Sequence, residues 1–129
     1  MDSFDISASG LSAQRARLDI IASNLANAET TRTPGGGPYR RLLPVFASRT
    51  TSPGGVAVVG IAVDPRDPRR VYQPGHPDAD PDGFVAYPNV NVVEEMVDLV
   101  SATRSYEANA AAYNAAKTMA QRALDLGRA

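Results

Sequence analysis

The chain has 129 residues, of which 43% are hydrophobic and 21% charged, and its formal net charge is −1. This composition is that of a folded domain, and its near-neutral charge gives no electrostatic reason to expect nucleic acid or an acidic membrane as a partner. Cysteine is absent, which excludes disulfides, thiolate metal sites and cysteine nucleophiles.

The amino-terminal segment from Asp2 to about Ala28 predicts a first helix, with Ser3 as its candidate N-cap. Its apolar residues recur every seven positions, with companions three residues on, a spacing typical of a lengthwise seam between two helices. The predicted seam residues are Phe4, Leu11, Leu18, Ile21 and Leu25.

The middle of the chain carries nearly all of its prolines and glycines, between Pro34 and Pro88, and therefore predicts loops and short strands. Four extended pieces stand out by their β-branched and aromatic residues: 42–46, 56–63, 70–72 and 84–87. We expect a small antiparallel β-unit between two helices.

The carboxyl-terminal stretch from Val92 to Leu126 contains neither glycine nor proline and predicts one long helix. At 1.5 Å per residue it would be roughly 50 Å long, too long to be buried within one chain of this size. Glu94 and Glu95 lie in its first turn, where acids offset the helix dipole. The predicted seam residues are Val92, Met96, Leu99, Tyr106, Ala110, Tyr113, Ala120 and Leu124.

The predicted fold is mainly α with a small β insertion, its terminal helices pairing as an antiparallel coiled coil. The predicted segments are 1–29 for the first helix, 30–89 for the middle and 90–129 for the second helix. Because the helices differ in length, about 15 Å of the second would have no partner in the chain. Its many alanines allow close approach of further helices, which favours an oligomer.

An acidic stretch in the middle segment raises the question of a metal site. Asp78, Asp80 and Asp82 alternate ahead of Gly83, as in the first half of a calcium-binding loop. The twelfth position counted from Asp78 is Asn89, where such a loop has a glutamate. We interpret the stretch as an acidic turn bonded to nearby amides, with a calcium-dependent binding module as the alternative.

His76 is the single histidine, so a two-histidine zinc site cannot be built. As a general base it would need a nearby nucleophile, and no glycine-flanked serine of the nucleophile-elbow kind is present. The sequence therefore predicts no enzyme, catalytic residue, cofactor or metal site. A small enzyme using His76 is the remaining alternative.

Short motifs lie along the chain: IASNLANA at 21–28, GPYRR at 37–41, VYQPGHPDAD at 71–80 and PNVNVVEEMVDL at 88–99. Together they resemble the axial proteins of the bacterial flagellum, the rod and hook family. The residues that carry the resemblance are Ser23, Asn24, Asn27, Tyr39, Arg40, Tyr72, Pro74, Gly75, His76, Pro77, Asp78, Asp80, Asn89, Asn91, Glu94 and Glu95. We assign Asn24 to helix register, whereas Asn27 either fixes register or ends the first helix near a left-handed position.

The resemblance implies a structural subunit of the basal-body rod, with its helices around the export channel. The implied partners are copies of the chain, other rod proteins, the basal-body ring and the export apparatus. The sequence begins without a basic region or an apolar core, so we expect export without a cleaved signal peptide. No run of eighteen apolar residues occurs, so no direct membrane insertion is expected.

Overall fold

The computed structural model describes residues 2–50 and 54–128, with helix side chains described from Phe4 onward. Six elements follow in order: α1 (Asp2–Ala26), β1 (Leu42–Ser48), β2 (Val56–Val63), β3 (Arg69–Tyr72), β4 (Phe84–Tyr87) and α2 (Val92–Gly127). The predicted order of helices and strands is confirmed. The capping role of Ser3 lies outside the described side chains.

The two helices pack against each other in opposite directions. Near the start of α1, the Phe4 ring meets the Tyr113 ring edge-on at 5.3 Å between centroids. At the other end, the Asn24 amide donates to Glu95 near the start of α2, at 3.4 Å. Residue numbers thus rise along one helix as they fall along the other, which is an antiparallel pair.

The second helix extends beyond the first. Since Phe4 lies beside Tyr113, the last three turns of α2 pass the start of α1, and residues 121–128 are all exposed. Among its described residues, only Glu95 and Ala102 of α2 are buried. The expectation that a helix of this length is not buried within one chain is confirmed.

The strands form two separate two-stranded antiparallel sheets, β1–β2 and β3–β4. The β1–β2 hairpin runs lengthwise along α1, because Leu42 at its base bonds to Asn24 and the Val56 amide near its tip donates to Ser9 Oγ at 3.1 Å. A register irregularity falls between Val45 and Phe46. Gly55, at φ 100°, brings the backbone so close to α1 that a Cβ there would lie 2.2 Å from Ser9 Oγ.

Helix α1 is covered on two faces. Ser9, Ala13, Ile20 and Asn24 are buried and share one face at about 100° per residue. The predicted seam, with Ile21 buried and Leu18 half-buried, lies about 120° around the helix. The sequence pattern predicted only this second face, because a single heptad series was read from it.

Helix α2 turns toward α1 a row of residues that the sequence pattern does not predict, beside part of the predicted row. Glu95, Ala102, Asn109 and Ala116 recur every seven residues on the covered side. The predicted residues Leu99, Tyr113 and Ala120 lie beside this row and are half-buried, as is Ala110, whereas Tyr106 is at the border of exposure. Val92, Met96 and Leu124 are exposed, so their packing role stays a prediction about contacts between subunits.

Within the described residues, neither helix combines the length and apolar character that a membrane span requires.

Candidate functional site

The residue at the centre of the molecule is Arg41, just before β1. Its guanidinium pairs through Nε with Glu95, and through its two terminal nitrogens with Asp64 at 3.1 Å and Asp98 at 3.2 Å. The Arg41 side chain is 14% exposed and that of Glu95 1%. One arginine thus joins the end of β2 to the first turns of α2.

Asn24 adds α1 to the same cluster. Its Oδ1 accepts from the Leu42 amide at 2.9 Å and from the Tyr39 hydroxyl at 2.8 Å. Its Nδ2 donates to the Leu42 carbonyl at 2.9 Å and also reaches Glu95. Because the side chain satisfies both backbone groups of Leu42, it fixes the hairpin to the helix in one register.

Asn89 plays the same part from the loop before α2. Its Oδ1 accepts from the Arg41 amide at 2.8 Å, and its Nδ2 donates to the carbonyls of Asp64 at 3.2 Å and Arg66 at 2.9 Å. We call the cluster of Asn24, Arg41, Asp64, Asn89, Glu95 and Asp98 the polar junction. It joins both helices, the β1–β2 hairpin and the loop into α2.

The electrostatics of the junction favour its charged forms. Hydrogen bonds from the Arg66 side chain, followed by bonds from the Arg66 amide and Arg41, outweigh burial and lower the pKa of Asp64 to about 2. Burial acts to lower the pKa of Arg41, but its bonds to Glu95 and Asp64 outweigh that effect and the net shift is upward. The ion pairs of Asp64 with Arg41 and Arg66 therefore persist throughout the neutral range.

The polar groups of the junction bond to one another and hold the elements together. In the part of the chain that the structure describes, no buried side-chain nitrogen or oxygen lacks a hydrogen-bond partner. Among the same residues, no group of three or more histidines and carboxylates could hold a metal ion.

The acidic turn uses its carboxylates within the chain. Asp78 accepts from the Thr31 hydroxyl at 2.7 Å and pairs with Arg32, and these bonds lower its pKa, the Thr31 bond foremost. Asp80 accepts from the Phe84 amide and pairs with Arg70 at 2.7 Å. These contacts are those of the acidic turn predicted as the alternative to a calcium loop.

The side of α2 turned away from α1 is apolar and exposed. Val93, Met96, Val97 and Val100 are 69%, 53%, 64% and 53% exposed. They lie about 180° around α2 from the buried residues Glu95 and Ala102. We call these four residues the outer stripe.

The β1–β2 hairpin has a second exposed apolar surface. Val59, Ile61 and Val63 of β2 are 64%, 59% and 53% exposed, whereas Ala62, between the last two, is half-buried. Ile61 and Val63 are two residues apart and so share the side turned away from α1, and Val59 is exposed at the register irregularity beside them. We call these three residues the hairpin face.

Comparison with known proteins identifies the family. A family model described as flagellar basal body rod FlgEFG protein C-terminal matches residues 82–126, and one described as flagella basal body rod protein matches residues 4–32. The chain is 47% identical to the flagellar basal-body rod protein FlgC of Yersinia enterocolitica, over 97% of this chain and 96% of that protein. The FlgC proteins of Bacillus subtilis and Borreliella burgdorferi are each 43% identical, over 98% and 95% of this chain and 97% and 93% of their own.

The chain belongs to the FlgC family of flagellar basal-body rod proteins. It is a structural subunit and not an enzyme. The axial family that the motifs resemble is thereby confirmed.

The structure brings several FlgC-family motif residues into the polar junction or next to it. Asn24, Asn89 and Glu95 belong to it, Tyr39 donates to Asn24, and Ser23 Oγ lies 3.1 Å from the Tyr39 hydroxyl. The burial of Glu95 corrects its predicted role: besides lying in the first turn, it is the main partner of Arg41. Glu94 stays near the surface, 3.5 Å from Arg66.

Two other asparagines of the motif lie at the ends of helices. The Asn91 side chain caps α2 by accepting from the amides of Val93 at 3.0 Å and Glu94 at 3.2 Å. Asn27 follows α1, and its Nδ2 donates to the Ser23 carbonyl at 2.9 Å. Of the two roles predicted for Asn27, the helix end near a left-handed position is wrong, since no described residue other than glycine has a positive φ.

The remaining motif residues lie around the β3–β4 sheet of the FlgC-family fold. Tyr72 packs edge-on against Phe84 at 5.3 Å, with Pro74 near Gly83. His76 Nδ1 accepts from the Asp78 amide at 3.0 Å, which places the histidine in the turn. Arg40, Gly75 and Pro77 are exposed, as are Tyr72 and Pro74.

Sequence reasoning missed three residues of the junction: Arg41, Asp64 and Asp98. Arg41 and Asp98 stand within the motifs without a predicted role, and Asp64 follows the predicted strand 56–63. The signal that could have found Asp64 is its place directly after the most β-branched strand, ahead of a proline.

Proposed function

We propose that this FlgC-family chain is a subunit of the proximal rod, where its helices pack with those of neighbouring subunits into a tube around the export channel. The helices, residues 1–29 and 90–129, form the inner helical part, wound as an antiparallel coiled coil. Residues 30–89 form the segment between neighbours. Helices packed lengthwise resist twisting through many shared contacts, which suits a rod that transmits torque.

The exposure of the outer stripe is the observation that supports this proposal best. A monomeric protein rarely exposes a contiguous group of large apolar residues, and such groups mark interaction sites. The free end of α2 adds Met119, Leu124 and Leu126, which are 70%, 66% and 79% exposed. A chain with these surfaces gains stability by packing among other helices.

The proposed partners are copies of the chain, other rod proteins, the basal-body ring and the flagellar export apparatus. The proposed location is the periplasm-spanning rod, reached through the export apparatus without a cleaved signal peptide.

The test is a charge placed on the outer stripe. Val97→Asp should abolish rod assembly and motility in cells while the chain is still made and exported, because an unpaired charge would be buried between subunits. The matched control is Thr103→Asp, on an exposed polar position of the same helix. Normal motility with Val97→Asp would contradict the proposal.

Two further variants test the seam between the helices. Leu18→Asp and Leu99→Asp should also block assembly without stopping synthesis, because each places a charge in the half-buried contact between α1 and α2. Normal motility of cells carrying either variant would show that the substituted residue does not belong to the seam.

The second candidate is another rod subunit of the same family, which the match to a FlgEFG C-terminal model favours. Complementation separates the two. Expression of this chain should restore motility to a mutant lacking FlgC and not to mutants lacking another rod protein. The opposite pattern would favour the second candidate.

A further inference from the structure

Two contacts between α1 and α2 are equally spaced along both helices. Asn24 meets Glu95, and Gly10 lies so close to Asn109 that a Cβ on the glycine would be 2.8 Å from Asn109 Nδ2. These contacts are fourteen residues, or two heptads, apart on each helix. The side of α2 that faces α1 therefore repeats every seven residues, and its row is Glu95, Ala102, Asn109 and Ala116.

This repeat gives α1 a second place to lie, one heptad further toward the end of α2. There Asn24 would meet Ala102 and Gly10 would meet Ala116. Both alanines are smaller than the residues that they would replace, so neither contact would clash. The shift is about 10 Å at 1.5 Å per residue. Helix α2 continues far enough to receive α1, since residues 121–128 are exposed.

The chain connections permit this shift. Helix α1 would move together with the β1–β2 hairpin, because Asn24 and Ser9 bond to the hairpin near its two ends. The shortest links from this unit to the β3–β4 sheet and its turn are the loops 27–31 and 64–68, of five residues each. Five extended residues span about 17 Å, which exceeds the shift.

The polar junction opposes the shift, because its charges do not repeat along α2. Arg41 pairs with Glu95 and Asp98. One heptad further along α2 stand Ala102 and Ser105, and neither carries a charge. In the shifted register Arg41, whose side chain is 14% exposed, would lose both ion pairs to α2 and gain none. A buried charge that loses its partner strongly disfavours the structure that contains it.

We infer that the polar junction selects the register of the helix pair, a role separate from its contribution to stability. Arg41, Glu95 and Asp98 are positioning residues, which hold α1 and the hairpin at one level of α2. They thereby fix the place of the hairpin face relative to the outer stripe, so every copy of the chain presents its surfaces in the same arrangement. The inference concerns the single chain and stands independently of the proposed rod function.

Competition between two disulfides measures the register, since the chain has no cysteine of its own. The reporter chain carries Gly10→Cys, Asn109→Cys and Ala116→Cys and is oxidised at low concentration in a glutathione buffer. The thiol at position 10 bonds to position 109 in the observed register and to position 116 in the shifted one, and peptide mapping gives the ratio. Positions 109 and 116 are about 10 Å apart on α2, too far for a disulfide with each other. Fraying of α1 lowers both yields alike, so the ratio reports the register.

The test variant removes the junction from the reporter chain while keeping the interior filled. Arg41→Met and Glu95→Leu replace a buried ion pair by apolar side chains of similar size, a change that often leaves stability unaltered. Asn89→Ala is added because Asn89 Oδ1 holds the Arg41 amide at 2.8 Å from the loop ahead of α2. Asp64 keeps Arg66 as its partner. The reporter chain should favour the disulfide to position 109 at least tenfold, and the test variant should lower that preference at least fivefold.

A destabilising change away from the junction separates register from stability. Gly55→Ala weakens the contact of the hairpin with α1 and leaves the junction intact, so it should lower both yields without changing their ratio. An unchanged preference in the test variant, or an equal loss of preference with Gly55→Ala, would overturn the inference. If circular dichroism shows that the test variant has lost its helices, Glu95→Gln with Asn89→Ala takes its place. That pair should lower the preference at least twofold, and a preference as strong as that of the reporter chain would overturn the inference.

Discussion

Two neighbouring residues, Arg40 and Arg41, have opposite surroundings. Arg40 is exposed, whereas Arg41 pairs with the buried carboxylates of Glu95 and Asp64. Arg41→Ala should lower the free energy of unfolding by about 3–5 kcal/mol, because it leaves buried charges without their partner. Urea unfolding followed by tyrosine fluorescence measures this. Arg40→Ala is the control and should change stability by about 0.5 kcal/mol or less.

The polar junction also predicts that the stability of the fold depends on pH in the acidic range. Asp64 has a pKa of about 2 in the folded chain against 3.8 ordinarily, because Arg66 and Arg41 bond to its ionised form. Because the pKa of Asp64 is lower in the folded than in the unfolded chain, its ionised form stabilises the fold by about 2 kcal/mol. This contribution is complete above pH 4 and is lost as the pH falls through 2. Asp64→Asn should reduce the slope of the unfolding free energy with pH in that window. An unchanged slope would contradict the lowered pKa of Asp64.

At the scale of elements, the contact between the hairpin and α1 depends on Gly55. A methyl group there would lie 2.2 Å from Ser9 Oγ, which bonds the Ile6 carbonyl and the Val56 amide, so the serine cannot move without losing both bonds. Gly54 has a similar positive φ of 86° but open space around it. Gly55→Ala should therefore lower the free energy of unfolding by about 1 kcal/mol or more beyond the loss caused by Gly54→Ala. Thermal melting of the two variants measures the difference. Equal losses would show that backbone strain alone matters.

The elements themselves could be predicted because their signals are local. Unbroken heptads gave the helices, and glycine, proline and β-branched residues gave the strands, with β2 and β4 found to the residue. The face of α1 beneath the hairpin could not be predicted, since its Ser9 and Asn24 are polar and break the apolar pattern. Likewise Glu95 in the first turn of α2 is indistinguishable in sequence from a solvated acid. Its burial depends on an arginine 54 positions away.

At the scale of the whole molecule, the contacts between elements are unevenly distributed along the helix pair. One end is held by the polar junction, which joins Asn24, Arg41 and Glu95 through ion pairs and hydrogen bonds. Towards the other end, the helices meet through an aromatic contact of Phe4 with Tyr113 and through the close approach of Gly10 to Asn109. The free subunit should therefore be more stable near the junction than at its tip.

This difference predicts how the isolated monomer behaves before assembly. The two helices have 25 and 36 residues, close to half of the chain. Circular dichroism of the dilute monomer should show far less helix than that, because the tip of α1 and the end of α2 lack the neighbours that would cover them. Hydrogen exchange should protect the amides of 20–26 and 95–102 most, and those of 4–12 and 110–126 least. A monomer that is fully helical, evenly protected and cooperative in melting would contradict the view that assembly completes the fold.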